Sequence, residues 1–204
     1  MSVKAMLREY IGDLPDNQLF CTRDLLGLCD RRSLDVALST LVKEAFIERL
    51  AWGVFRLRKP DNEPISPLVV AAVKLKAFGK NIFNLPEVRK GPSSKRLTAC
   101  APENIAVTVG TDGRSSSFIY QGKKIICLSL GPRKCRLGKD TAGSSLRELW
   151  LLGDVELPQE QLQPLLEQLF PTDQTLGKLW KFLPDWLCRR LSLVGFAHSA
   201  GPVA

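Results

Sequence analysis

Between Asp30 and Lys59 the hydrophobic period switches from helical to alternating, and no other stretch constrains the fold as tightly. Leu34, Leu38, Leu41 and Ala45 follow one another at spacings of four, three and four, which predicts the apolar face of a helix. Its opposite face carries Arg32, Val36, Ser39 and Lys43, with Ser33 and Thr40 at the edges and Arg31 at the start. After Ala45 the pattern turns extended. Ile47 and Leu50 flank Arg49, Trp52-Gly53 supplies turn chemistry, and Phe55 and Leu57 alternate with Arg56 and Arg58. The expectation is a helix followed at once by a tight basic hairpin.

The preceding residues complete a pattern. Val3, Met6, Leu7, Tyr10 and Ile11 predict a first helix over 3–12, and Leu19-Phe20-Cys21 a short extended piece. Thr22 reads as the cap of a second helix, RDLLGL, with Asp24 in its first turn where the helix dipole favours an acid. Helix, strand, helix, helix, hairpin is winged-helix order. Such a helix fits the major groove, roughly 12 Å wide, and the hairpin reaches phosphates or the neighbouring minor groove.

Three prolines within PDNEPISP predict a linker over 61–67, ending domain 1–60. Beyond it a domain over 68–195 is expected. It opens with a helix from Pro67 to Phe78, with Val69 and Val73 on an apolar edge and Lys76 on a basic one. The pattern is weak from Asn81 to Ala101, and KGPSSKR reads as a mobile loop. Residues 105–109, 117–120 and 124–128 predict three strands of a small antiparallel sheet. Helices follow over Ser145–Leu152, from Pro158 onward, and over Leu176–Leu193, the last kinked or split by Pro184. The tail 196–204 is expected to be disordered. The fold class is therefore α+β: an N-terminal winged helix-turn-helix, then a mixed α/β domain with a small antiparallel sheet and C-terminal helices.

Charge is uneven along the chain. Residues 61–145 hold fourteen lysines and arginines against six acids, whereas residues 1–60 hold ten against eight and residues 146–204 five against seven. Most of the net +8 thus lies in the middle section and favours an acidic or polyanionic partner there. Lys123, Lys124, Arg133, Lys134, Arg136 and Lys139 are its candidate patch for a partner or for DNA backbone. The six cysteines include no CxxC pair and the single histidine is His198, so neither a metal nor a cofactor is expected. No apolar run approaches the roughly 18 residues of a membrane span, and MSVKAMLREYIGDL reads as an amphipathic helix rather than a secretion signal. A cytoplasmic chain with reduced cysteines is the expectation.

An enzyme is not expected. Gly143-Ser144-Ser145 followed by Asp154 and Glu156 is superficially like a nucleotidyltransferase site, but the intervening SLRELWLLG reads as a helix rather than a loop, no third carboxylate is obvious, and Glu for Asp is a weak substitution. GPRKCRLGKD fails as a phosphate loop: six residues separate Gly131 from Gly138 where four are needed, and Asp140 stands in place of Ser or Thr. The candidate DNA-binding residues are Arg31, Arg32, Ser33, Val36, Ser39, Thr40, Lys43, Arg49, Trp52, Gly53, Arg56 and Arg58. Arginines at the helix start suit guanine edges, and Ser39, Thr40 and Lys43 suit phosphates. Trp52 packs either on DNA sugar or as a lid on the core.

RRSLDVALSTLVKEAFIERLAWGVFRL, VTVGTDGRSSSFIYQGKKIICLSL and LPDWL, in that order, resemble AbiEi-like antitoxins of type IV toxin–antitoxin systems. The chain departs from that pattern at Ala45, where family members often carry glycine, and at Gly53-Val54-Phe55, where an aromatic hydroxyl is lost. The resemblance implies a DNA-binding antitoxin that represses its own operon and antagonises a nucleotidyltransferase-like toxin. Double-stranded operator repeats are its expected partner, with a dimer as one arrangement on them and the oligomeric state left open. The alternatives are a winged-helix regulator without a toxin, and a protein-interaction module whose winged helix is only structural.

Overall fold

A computed structural model of the chain describes residues 2–85, 104–153, 167 and 173–193. The fold is mixed α+β, with two small sheets. It divides into two compact units, Met1–Ile82 with Cys100–Leu128, and Phe83–Ala99 with Ser129–Ala204.

The first unit opens with α1 (Val3–Gly12), where the Ser2 hydroxyl accepts from the Ala5 N–H at 3.2 Å. β1 (Leu19–Cys21) leads into a single 3-10 turn, Thr22–Leu25, in place of the expected second α-helix. The capping position belongs to Cys21 rather than Thr22, because the Asp24 carboxylate reaches back to the Cys21 N–H at 2.7 Å. α2 (Arg31–Lys43) starts at Asp30, whose carboxylate accepts from the Ser33 N–H at 3.0 Å.

Its far end is closed by paired backbone bonds, Phe46 N–H to Leu41 C=O at 3.0 Å and Ala45 N–H to Val42 C=O at 3.1 Å. This closure puts Ala45 at φ +55°, in the left-handed region that glycine tolerates best. Ala45 is therefore exposed and off the helix, and Ala37 joins Leu34, Leu38 and Leu41 on the buried face instead.

β2 (Ile47–Ala51) and β3 (Val54–Leu57) form the hairpin, with Trp52-Gly53 at the turn and a register shift between Arg49 and Ala51. β1 pairs antiparallel with the other edge of β3, giving the order β1-β3-β2 with β3 in the centre. One face of this sheet, through Phe20, Ile47 and Phe55, joins Leu7, Ile11, Leu25 and the buried face of α2 in a core. The Phe20 and Phe55 rings stack with centroids 5.8 Å apart.

The other face is covered too. Cys21, Ala51 and Val54 share a core with Val70, Ala71 and Leu75 of α3 (Pro67–Ala77), and with Val109, Tyr120, Ile125 and Cys127. The latter four come from a second sheet of β4 (Ile82–Asn84), β5 (Ile105–Thr111), β6 (Ser116–Tyr120) and β7 (Lys123–Ser129), in the order β4-β5-β7-β6. β6 and β7 are antiparallel, from Ser116 opposite Cys127 to Tyr120 opposite Lys123. β4 falls in a stretch where the sequence pattern is weak.

This core crosses the expected linker. The Tyr120 hydroxyl donates to the Ile65 carbonyl at 2.7 Å, the Asn62 amide to the Leu57 carbonyl at 2.9 Å, and the Arg56 guanidinium to the Glu63 carbonyl at 2.6 Å. Residues 61–67 are thus tied to the fold at both ends. On α3, Val70, Ala71 and Leu75 are the buried side, while Val69 is 46% exposed. A helix packed against more than one partner has no single apolar edge for periodicity to find.

In the second unit, α4 (Pro132–Cys135) is a short helix with proline at its first position. α5 (Thr141–Leu152) begins four residues before the expected Ser145, because Asp140 caps it by accepting from the Gly143 N–H at 2.9 Å. α6 (Asp173–Trp180) and α7 (Asp185–Leu193) are separate helices parted at Pro184, whose carbonyl accepts from Leu187 and Cys188. Leu137, Ala142, Leu146, Leu149, Leu183, Leu187 and Leu191 form this unit's core. Arg147 is buried beneath them, donating to the Lys134 and Gly138 carbonyls and lying 4.7 Å from the Phe83 ring centroid. The KGPSSKR loop, the helix from Pro158 and the tail 196–204 lie outside the described residues.

The left-handed closure of α2 makes a prediction. Ala45→Gly is expected to stabilise the chain by roughly 0.5–1 kcal/mol, since an L residue is strained there. A urea unfolding midpoint that fails to rise at constant m would contradict it.

Candidate nucleic-acid interface

The outward face of α2 carries Arg32, Val36 and Lys43, all exposed, with Ser33, Ser39 and Thr40 half-buried at its margins. Val36 is 63% exposed, an apolar side chain standing among cations. The Thr40 hydroxyl donates to the Val36 carbonyl at 3.0 Å, so it is already engaged within the helix. Arg31 pairs with Asp35 one turn on, at 2.8 Å. Both are exposed, and such a surface pair contributes little and yields readily to a stronger anion. At the far end, the Glu44 carboxylate is held by Lys4 at 2.7 Å and Arg8 at 3.1 Å, and the Lys4 bond keeps it below the usual carboxylate pKa range. The acid beside Lys43 is thereby neutralised by α1.

The hairpin sorts its arginines. Arg49 is exposed and stacks over Trp52 and Phe55, 5.4 Å from each ring centroid. Trp52 is 77% exposed and so is no lid on the core, and its carbonyl accepts from the Lys74 ammonium at 2.7 Å. Gly53, at φ +77°, gives its carbonyl to the Thr22 N–H at 3.1 Å, which anchors the turn to the 3-10 segment. Arg58 is exposed and its N–H closes on the Phe46 carbonyl, while Lys59 is paired with Asp16.

Arg56 is the exception among the expected DNA contacts. It is only 6% exposed, ion-paired to Glu48 on the neighbouring strand and bonded to the Glu63 carbonyl. The alternation that pointed it outward assumed a hairpin with one wet face, but β3 is central and covered on both. Its guanidinium is committed to the fold.

Between α2, the hairpin turn, the 3-10 segment and α3 lies a cleft of about 590 Å³. Arg23, Arg31, Arg49 and Lys74 line it against one carboxylate, Asp35. Arg23 stacks 4.5 Å from the centroid of Phe78, which is 51% exposed, and Lys74 lies 4.3 Å from that of Phe118. Burial pulls the Lys74 ammonium below the usual lysine pKa range and pushes the adjacent Cys21 thiol up to about 11. Cys21 is thus a neutral, inert thiol at physiological pH. Arg23, Lys74 and Phe78 were not singled out in the sequence. Each lies on a different element from α2 and the hairpin, and only tertiary packing brings them together.

The candidate patch of the middle section is split by the fold. Lys123 and Lys124 stand at the start of β7 in the first unit. Arg133, Lys134, Arg136 and Lys139 belong to the second, where they lie over rings: Arg133 and Lys134 over Trp150, Arg136 over Phe182, Lys139 over Phe83. Arg133 also donates to the Phe182 and Leu183 carbonyls, at 3.1 and 2.7 Å, and so helps hold the turn before α7. Desolvation lowers the pKa of half-buried Lys134. This stretch is as much a cation–aromatic brace as a docking patch.

Among the described residues no three cysteine, histidine or acidic side chains group as a metal site, and no helix is long and apolar enough to cross a membrane. Among the described residues Cys21, Cys29, Cys127, Cys135 and Cys188 form no disulfide. Asp154 and Glu156 lie outside the described residues. Compared with protein-family models, with curated proteins and with solved structures, the chain has no match. The AbiEi-like resemblance rests on the three motifs that carry it.

Assigning Arg56 to the fold makes a prediction. Arg56→Ala is expected to cost about 1.5–3 kcal/mol of stability, the range for bonds to a charged group. A thermally unshifted Arg56→Ala protein would refute the structural role.

Proposed function

We propose that the amino-terminal part of the first unit is a winged helix that binds double-stranded DNA, with α2 in the major groove and the β2–β3 turn against the backbone. The observation that carries this reading is the outer face of α2. Arg32, Val36 and Lys43 share one solvent face of a 13-residue helix; the Asp35 and Glu44 carboxylates beside it are each engaged by a cation, and the capping Asp30 by the Ser33 N–H. The element order, the sheet order β1-β3-β2 and an exposed Arg49–Trp52 pair at the hairpin tip support it.

Arg31 and Arg32 sit at the helix start, where base edges are read. Ser33, Ser39, Thr40 and Lys43 lie further along as phosphate positioners, and Arg58 flanks the hairpin. Val36 is placed to meet a thymine methyl. Gly53 allows the turn, and Trp52 offers its ring edge to a sugar. The chain acts in the cytoplasm as a repressor of its own operon, a dimer over repeated half-sites. Its role as an antitoxin against a nucleotidyltransferase-like toxin comes from the resemblance and attaches to the regions beyond the winged helix.

Binding of duplex DNA from upstream of the chain's own gene, followed against salt, tests the reading. Arg32→Ala is expected to lose about 1–3 kcal/mol on that DNA and little on random duplex. Lys43→Ala should weaken both and lower the slope of log K against log salt by about 0.9. Binding that survives both substitutions together would remove α2 from the interface.

A further inference from the structure

We infer that the cleft between α2, the hairpin turn and α3 is a binding site for a nucleotide unit, a planar base with its phosphate, offered unpaired rather than within a duplex. Its volume of about 590 Å³ lies within the range of small-ligand sites and far exceeds what a bare inorganic anion fills. Its walls combine two chemistries. Trp52 and Phe78, 77% and 51% exposed, offer ring surface to the solvent of one cleft. The Arg23 and Arg49 guanidinium carbons lie over those rings, 4.5 and 5.4 Å from the centroids, so the cations are held by aromatic faces. Among the described residues neither has a carboxylate partner, and nor does Lys74.

A cation parked on a ring keeps N–H donors for phosphate, and the guanidinium plane itself is a stacking platform for a base. An extended acidic peptide would use the cations but leave the rings uncovered, and an apolar ligand would strand three cations beneath it. Stacking surface beside unpaired positive charge is the arrangement by which unpaired nucleotides are held. Asp35, the one carboxylate in the lining, is turned to Arg31.

Arg49 and Trp52 also belong to the duplex face, whereas Arg23 and Phe78 belong to the cleft alone, so the two readings fail separately. The experiment uses the full chain and follows binding of a labelled single-stranded oligodeoxynucleotide of mixed sequence, of free mononucleotides, and of inorganic phosphate. The expected result is binding of the oligonucleotide or the mononucleotide, weakened about tenfold or more by Phe78→Ala and by Arg23→Gln. Duplex affinity and melting temperature should stay unchanged in both variants. Binding of the strand but not the mononucleotide identifies the ligand as single-stranded nucleic acid, and the reverse as a free nucleotide. Binding of neither, equal affinity for inorganic phosphate, or wild-type affinity in both variants would overturn the assignment. Should Phe78→Ala unfold the chain, Phe78→Leu, which keeps the apolar bulk and removes the stacking face, serves in its place.

Discussion

The first unit depends on a small sheet whose central strand is covered on both sides. Three short strands could not stand alone. Here the central strand β3 is pressed from one face by α1 and α2 and from the other by α3 and the second sheet. Val54 and Phe55, adjacent in sequence, serve opposite cores. Each fully buried aliphatic or aromatic side chain contributes about 1.5–3 kcal/mol of transfer free energy. The second core therefore matters as much as the first, and it is what fixes the hairpin whose tip meets solvent.

The same constraint decides which cations are available. On a strand with one wet face Arg56 would reach outward with Arg58. On a strand covered twice it must be neutralised, and Glu48 and the Glu63 carbonyl do so. The exposed cations instead rest on rings or on helix surface: Arg49 over Trp52, Arg23 over Phe78, Arg32 and Lys43 facing water. The fold thus separates arginines that build it from arginines able to meet a polyanion. The second unit uses the first kind too, with Arg147 and Arg133 closing backbone carbonyls.

Local pattern was enough for α1, α2, the hairpin and the strands β5, β6 and β7, since each has a clean period or β-branched content bounded by turn residues, but not for β4, which lies where the pattern is weak. It misjudged the segment after Thr22, where the Asp24 carboxylate and Gly27 favour one tight turn over a helix. It extended α2 through Ala45, because a left-handed alanine leaves no trace in periodicity. The inventory of surface residues on α2 was legible for the same reason the helix was. The cleft was not: Arg23, Lys74 and Phe78 are brought together by the packing of α3 on β1 and β3, which no spacing along the chain encodes.

The central claim is that α2 and the β2–β3 turn together present the surface that meets duplex DNA. Hydrogen–deuterium exchange of the full chain, with and without duplex from upstream of its own gene, tests it most directly. The account predicts slowed exchange over 31–43 and over the turn at 51–54 on adding duplex, with α5 and α7 unchanged. Protection confined to the second unit, or none at either segment under conditions where the duplex is bound, would contradict it.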